Sequence, residues 1–165
     1  MEKFALCPGT YDPITEGHKD VIIRCSQVFD QVIVAVSKSN RKKPMYALKQ
    51  RIDFIKRIFK DVKNIRVISF EGLLIDVAKK ENAVVIVKGL RAISDFEYEF
   101  QMAQINKKLN PEIETMFFVT NPKYAYLSSS VVKEVASFSG CITGLVPEEI
   151  EQDIIKSFKK NKPFK

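Results

Sequence analysis

The chain has 165 residues, 45% of them hydrophobic and 28% charged, with a formal net charge of +7. That size suits one domain with a sizeable core. No apolar run approaches the roughly 20 residues that span a bilayer, and the amino terminus lacks the basic stretch and apolar core of a secretory signal. Cys7, Cys25 and Cys141 are widely spaced and His18 is the sole histidine, so neither a zinc site nor a disulfide framework is supported; reduced thiols in the cytoplasm are expected.

Phe4–Cys7 has the length of a buried strand. The segment from Pro8 to Pro13 breaks it, and Thr15, a good N-cap, opens a helix with Val21, Cys25, Val28 and Phe29 along one face. Val32–Val36 is a continuous β-branched run, as expected for a parallel strand covered on both faces. A helix buried through Leu48, Ile52, Ile55 and Phe59 follows, then a weaker edge strand at Ile65–Ile68. A short helix after Gly72 runs through Leu74, Val77 and Ala78 to a strong central strand, Ala83–Val87. Ser94 and Glu97 have the spacing of a capping box, predicting a helix with Phe96, Phe100 and Ala103 inward that stops by Asn110-Pro111. Thr115–Val119 is the fifth strand. Ser128 or Ser129 caps a helix carrying Val132, Val135 and Ala136, and Pro147 opens the last one, buried through Ile150, Ile154 and Phe158.

Strict alternation of strand and helix predicts an α/β fold: a Rossmann-like, doubly wound, five-stranded parallel sheet with helices on both faces. One domain over residues 1–165 is expected, its last few residues a basic tail. The positive charge is spread along the chain, apart from Arg41-Lys42-Lys43 and that tail, and closely spaced stacking aromatics are missing. This argues for a small polyphosphate partner rather than nucleic acid, and no membrane partner is expected.

Ligands of such sheets bind beyond the carboxyl ends of the strands. There the chain gathers Thr10 and His18 after strand 1, Lys38, Arg41, Lys42 and Lys43 after strand 2, Lys88-Gly89-Leu90-Arg91 after strand 4, and Ser128-Ser129-Ser130 after strand 5. Cations, hydroxyls, an imidazole and free helix N–H groups thus converge on one rim, as a polyphosphate requires. Neither a Walker loop, a Gly-x-Gly-x-x-Gly turn nor a Gly-x-Ser-x-Gly elbow is present, so a covalent nucleophile is not expected.

The stretch Pro8-Gly9-Thr10-Tyr11-Asp12-Pro13-Ile14-Thr15-Glu16-Gly17-His18 resembles the signature of the nucleotidylyltransferase superfamily. Lys88-Gly89-Leu90-Arg91, Asp95-Phe96-Glu97-Tyr98-Glu99 and Leu127-Ser128-Ser129-Ser130 narrow the resemblance to the bacterial phosphopantetheine adenylyltransferase family. It implies transfer of the adenylyl group of ATP to 4′-phosphopantetheine, with magnesium, giving dephospho-coenzyme A and pyrophosphate by direct in-line attack. The resemblance further implies Thr10, His18 and Lys42 as catalytic residues. It implies ATP binding by Thr10, Tyr11, His18, Gly89, Leu90, Arg91, Glu99, Tyr124, Ala125, Tyr126, Leu127, Ser128, Ser129 and Ser130. Phosphopantetheine falls to Thr10, Lys42, Leu74 and Lys88. No protein-held metal site is implied, whereas a homohexamer and feedback by coenzyme A are. Lys88 departs from the family's usual Arg, keeping the charge but losing the planar fork. The residues themselves leave two other readings open: a sister nucleotidylyltransferase making a nicotinamide or cytidine nucleotide, and a non-catalytic nucleotide or nucleic-acid binding module.

Overall fold

The structure, a computed structural model, describes residues 2–38, 43–91 and 93–160, the side chains of 93–95 and 160 excepted. Five strands alternate with helices: β1 (Phe4–Gly9), α1 (Glu16–Ser26), β2 (Gln31–Ser37), α2 (Leu48–Ile58), β3 (Ile65–Phe70), α3 (Leu74–Lys80), β4 (Ala83–Leu90), α4 (Ile93–Leu109) and β5 (Glu114–Val119). A short 3₁₀ turn, Pro122–Tyr124, leads to α5 (Ser129–Ser137), and α6 (Glu148–Lys160) ends the described chain. All pairings are parallel, in the order β3-β2-β1-β4-β5. The expected Rossmann-like architecture is therefore present, with β3 at an edge and β4 inside the sheet. No helix among the described residues is long and apolar enough to cross a membrane.

Strand periodicity splits the core in two. Ala5 and Cys7 of β1 and Val32, Val34 and Val36 of β2 point to one face, where they meet α1, α2, α5 and α6. Leu6, Ile33, Ala35 and Ile86 point to the other, where Ile75 and Ala78 of α3 cover them. Each fully buried Val, Leu or Ile among them contributes roughly 1.5–3 kcal/mol, the alanines less. Coverage of both faces explains why Val32 to Val36 are all fully buried.

Several sequence expectations need correction. Val28 is 66% exposed, because α1 ends at Ser26 and Val28 sits in the turn beyond it. The buried stripe of α2 runs through Arg51, Phe54, Ile55 and Ile58, with Leu48 and Ile52 only half-buried. α4 begins at Ile93, so Ser94 lies within the helix and is not its N-cap. Phe96 and Phe100 are 42% and 46% exposed. The inward stripe of α4 is instead Glu99, Met102, Ala103 and Asn106, spaced at one helical face. Phe96 and Phe100 lie against each other on the outer side, with Phe96 reaching Phe117 of β5.

Candidate active site

The sheet opens where its strand order reverses. β1 pairs with β4 over Phe4–Leu6, then the two strands part, while β1 continues along β2 to Gly9 and β4 along β5 to Leu90. Pro8, which has no N–H to offer a neighbouring strand, lies in the parted stretch. The gap widens into a cavity of about 330 Å³ floored by Cys7, Pro8 and Val87 and walled by α1, the end of β4 and the start of α5. This is the crevice in which such sheets bind ligands.

His18 enters the cavity from the first turn of α1, and its surroundings fix its protonation state. The Thr15 N–H donates to His18 Nδ1 at 3.0 Å, and the Thr15 hydroxyl lies 2.9 Å from the same nitrogen. Nδ1 is thus an acceptor, so the ring proton sits on Nε2. Tyr11 closes the other side. Its backbone takes a left-handed φ of 51°, a strained conformation for an aromatic residue. That turn lays its ring over Gly9, where an added Cβ would come within 2.8 Å of it. The phenol donates to the Cys7 carbonyl at 2.9 Å, and the ring meets His18 edge-on at 5.2 Å. Burial, and secondarily the positive charge of Arg91, depress the imidazole pKa from 6.5 to about 4. At neutral pH His18 is therefore a neutral Nε2–H donor at a helix N-terminus.

The opposite wall is cationic. Lys88, two residues before the end of β4, lines the cavity, and its ammonium lies 3.3 Å from Glu99 of α4. Arg91 donates to the Leu127 carbonyl at 2.7 Å, which ties the β4 exit to the segment leading into α5. Ser128 caps α5 by accepting the Val131 N–H at 3.1 Å, leaving the first-turn N–H groups of α5 directed at the cavity rim. Lys88 and Glu99 also line a second cavity of about 80 Å³, with Leu74, Tyr98, Met102 and Asn106 around it. The two cavities thus share the Lys88–Glu99 pair as a common wall.

Beneath the rim lies a polar frame the sequence reading missed. Asp12 is buried and accepts from the Met45 and Tyr46 N–H groups, both at 2.9 Å, and from Lys133 of α5 at 2.8 Å. Burial pushes the Asp12 carboxyl up, but these bonds and the Lys133 charge together outweigh it and hold the pKa below the usual value. Arg51, 1% exposed, donates to the carbonyls of Thr10 at 2.6 Å, Ser37 at 2.9 Å and Tyr46 at 3.1 Å. A charged residue on the apolar face of α2 was the signal that could have revealed Arg51.

The sequence-predicted residues fall into groups. Tyr11, His18, Gly89, Arg91, Glu99 and Leu127–Ser130 line the larger cavity. Leu74 lines the smaller, and Lys88 and Glu99 line both. Thr10, Leu90, Tyr124, Ala125 and Tyr126 flank the larger cavity in sequence without being among its lining residues. Lys42 lies outside the described residues. The hydroxyl of Ser129 is already engaged, donating to the Pro13 carbonyl at 2.8 Å. Thr120, buried beside Gly89, is a lining residue with no sequence signal of its own.

Over residues 6–135 the chain matches the cytidylyltransferase-like family. A phosphopantetheine adenylyltransferase of Caldanaerobacter subterraneus subsp. tengcongensis is 50% identical over 159 residues, covering 96% of this chain and 99% of the relative. One from Clostridium tetani is 57% identical over 152 residues, 92% and 95% of the two chains. Among solved structures, a Vibrio parahaemolyticus protein provisionally named as a nicotinate-nucleotide adenylyltransferase superposes with a TM-score of 0.72 over 98% of each chain, at 17% identity, a likeness of fold.

Proposed function

The chain belongs to the phosphopantetheine adenylyltransferase family, its reaction is adenylyl transfer in coenzyme A biosynthesis, and from that premise we propose how its residues divide the work. ATP occupies the larger cavity, with the base between Val21, Gly89 and Leu127 and the triphosphate against His18, Arg91 and the first turn of α5. Gly89 leaves that slot open, since an added Cβ would stand 3.1 Å from Val21. Leu90 and Tyr124–Tyr126 complete the nucleotide side through the segments that Arg91 joins. Phosphopantetheine places its phosphate at Lys88, Thr10 and Lys42 and its arm in the smaller cavity along Leu74. Lys88 makes one charge-assisted hydrogen bond there, exchanging its Glu99 partner for the ligand.

The reaction is an in-line displacement. A phosphate oxygen of phosphopantetheine forms a bond to the α-phosphorus as the bond from that phosphorus to the β-bridging oxygen breaks. Pyrophosphate leaves, and no enzyme atom is bonded in between. The chain's task is placement and charge stabilisation. The observation that carries the reading is the Thr15–His18 bond: it leaves one fixed N–H on the His18 ring in a cavity that Lys88 and Arg91 also line, where such a donor is worth on the order of 100-fold or more in rate. When bound, magnesium would neutralise phosphate charge. Glu99 is the one carboxylate among the larger cavity's lining residues, so phosphate oxygens would supply most of its ligands.

We also propose a homo-oligomer, a hexamer in this family, built through the outer face of α4 and β5. Phe96 and Phe100 of α4, 42% and 46% exposed, lie against each other beside Phe117 of β5, an apolar cluster left open on that face. Coenzyme A, sharing the pantetheine arm and adenine of the product, would compete for both cavities, and the compartment proposed is the cytoplasm. The test is incubation with ATP, magnesium and phosphopantetheine, following pyrophosphate and the mass of the product. Dephospho-coenzyme A is the expected product. Pyrophosphate release only with nicotinate or nicotinamide mononucleotide as acceptor would sink the reading.

A further inference from the structure

Asp12 and Lys133 line neither cavity and have no part in the roles above. Yet Asp12 sits in the loop that carries Thr10, and Lys133 lies on α5, whose first turn faces the triphosphate. Their 2.8 Å ion pair and the 2.8 Å bond from Ser129 to the Pro13 carbonyl stitch the two segments together. From the other side Arg51 holds the Thr10 carbonyl at 2.6 Å. The loop is thus held between α2 and α5. We propose that Asp12 and Lys133 are positioning residues for adenylyl transfer: their ion pair fixes the separation between the attacking phosphate and the leaving pyrophosphate. This rests on the assignment of Thr10 to the first and of the α5 start to the second.

In-line transfer is sensitive to separation, and a displacement of about 1 Å can cost on the order of 100-fold in rate. Without the ammonium, Asp12 retains its two backbone donors, so residues 45 and 46 stay docked. The link from loop to α5 is then left to the neutral Ser129 bond. Each ligand's own contacts remain, and only their mutual placement loosens.

The experiment compares Lys133→Met with wild type and Lys133→Arg in the full chain. It measures steady-state kinetics, calorimetric binding of ATP and of phosphopantetheine singly, and thermal unfolding. Lys133→Met is expected to lower kcat at least tenfold while each single-ligand Kd moves less than threefold, and Lys133→Arg to recover kcat to within threefold. Asp12→Asn removes the charge and leaves one acceptor oxygen for the backbone donors of residues 45 and 46. It is expected to lower kcat likewise, and it decides the matter if Lys133→Met fails to fold. The double variant is expected to be no slower than the slower single one, since both break the same pair. The proposal is overturned if kcat stays within twofold in the folded single variants, if their losses multiply in the double, or if both ligand affinities fall as far as kcat does. Wild-type protein that releases no pyrophosphate from ATP and phosphopantetheine would overturn the reading of the site instead.

Discussion

Titrating the protein from pH 8 to pH 5 should leave its only imidazole almost entirely neutral. Desolvation of the half-buried His18 ring beside Tyr11 and, to a lesser degree, the Arg91 guanidinium lower its pKa to about 4. At pH 5 that leaves about 9% of the rings protonated, against about 97% for an ordinary histidine of pKa 6.5. The shift also couples to folding. Below pH 6.5 the unfolded chain takes up a proton that the folded chain refuses until about pH 4. Stability should therefore be fully present above pH 6.5 and fall as the pH drops through that window, by up to about 3 kcal/mol. With a single histidine, its Cε1 proton gives one resolved NMR signal, so the midpoint can be read without assignment. Nitrogen shifts of the ring report the tautomer directly. His18→Gln should flatten this component of the pH dependence of urea unfolding. Arg91→Ala should raise the midpoint only partway to 6.5, because burial is the larger cause. A midpoint near 6.5, or a proton on Nδ1 at neutral pH, would refute the reasoning and remove the fixed Nε2–H donor from the mechanism.

Lys88→Ala should raise the phosphopantetheine KM about 10- to 100-fold with little change for ATP, the loss of one charged hydrogen bond of roughly 1.5–3 kcal/mol, whereas Lys88→Arg should keep or lower it. Steady-state kinetics with each substrate varied decides, and a KM within about twofold in Lys88→Ala contradicts the assignment. Arg51→Met leaves three carbonyls without their donor and should lower the urea-unfolding free energy by about 3 kcal/mol or more; a loss below about 1 kcal/mol would show that the frame is not held by this residue. Phe100→Glu on the exposed face of α4 should shift the sedimentation coefficient to smaller species without loss of helical signal, and an unchanged coefficient would argue against assembly through that face.

The strand–helix alternation was readable because buried parallel strands are written as unbroken apolar runs. Val32–Val36 and Ala83–Val87 could have been little else. The α4 stripe was misread for a physical reason. Its aromatic residues face outward and its polar ones, Glu99 and Asn106, face in, so hydrophobic periodicity points to the wrong side. The rim of the site was legible through charge at strand ends. Its frame was not, because Asp12, Arg51 and Lys133 act through partners 34, 41 and 121 residues away in sequence. Nor does any local pattern tell that Lys88 and Glu99 would meet as the wall shared by two cavities.

The parting of β1 and β4 places a sheet edge inside the molecule. Unpaired strand edges normally lie outside, where they invite other chains and must be guarded. Here the exposed row is folded into a concavity, and Pro8 contributes no N–H to it. On one side of the gap stand β3, β2 and β1, and on the other β4 and β5. Whatever occupies the cavity bridges the two halves where backbone bonds do not. A nucleotide bound as proposed would then be a cross-brace as well as a reactant, joining the two halves where the strands part.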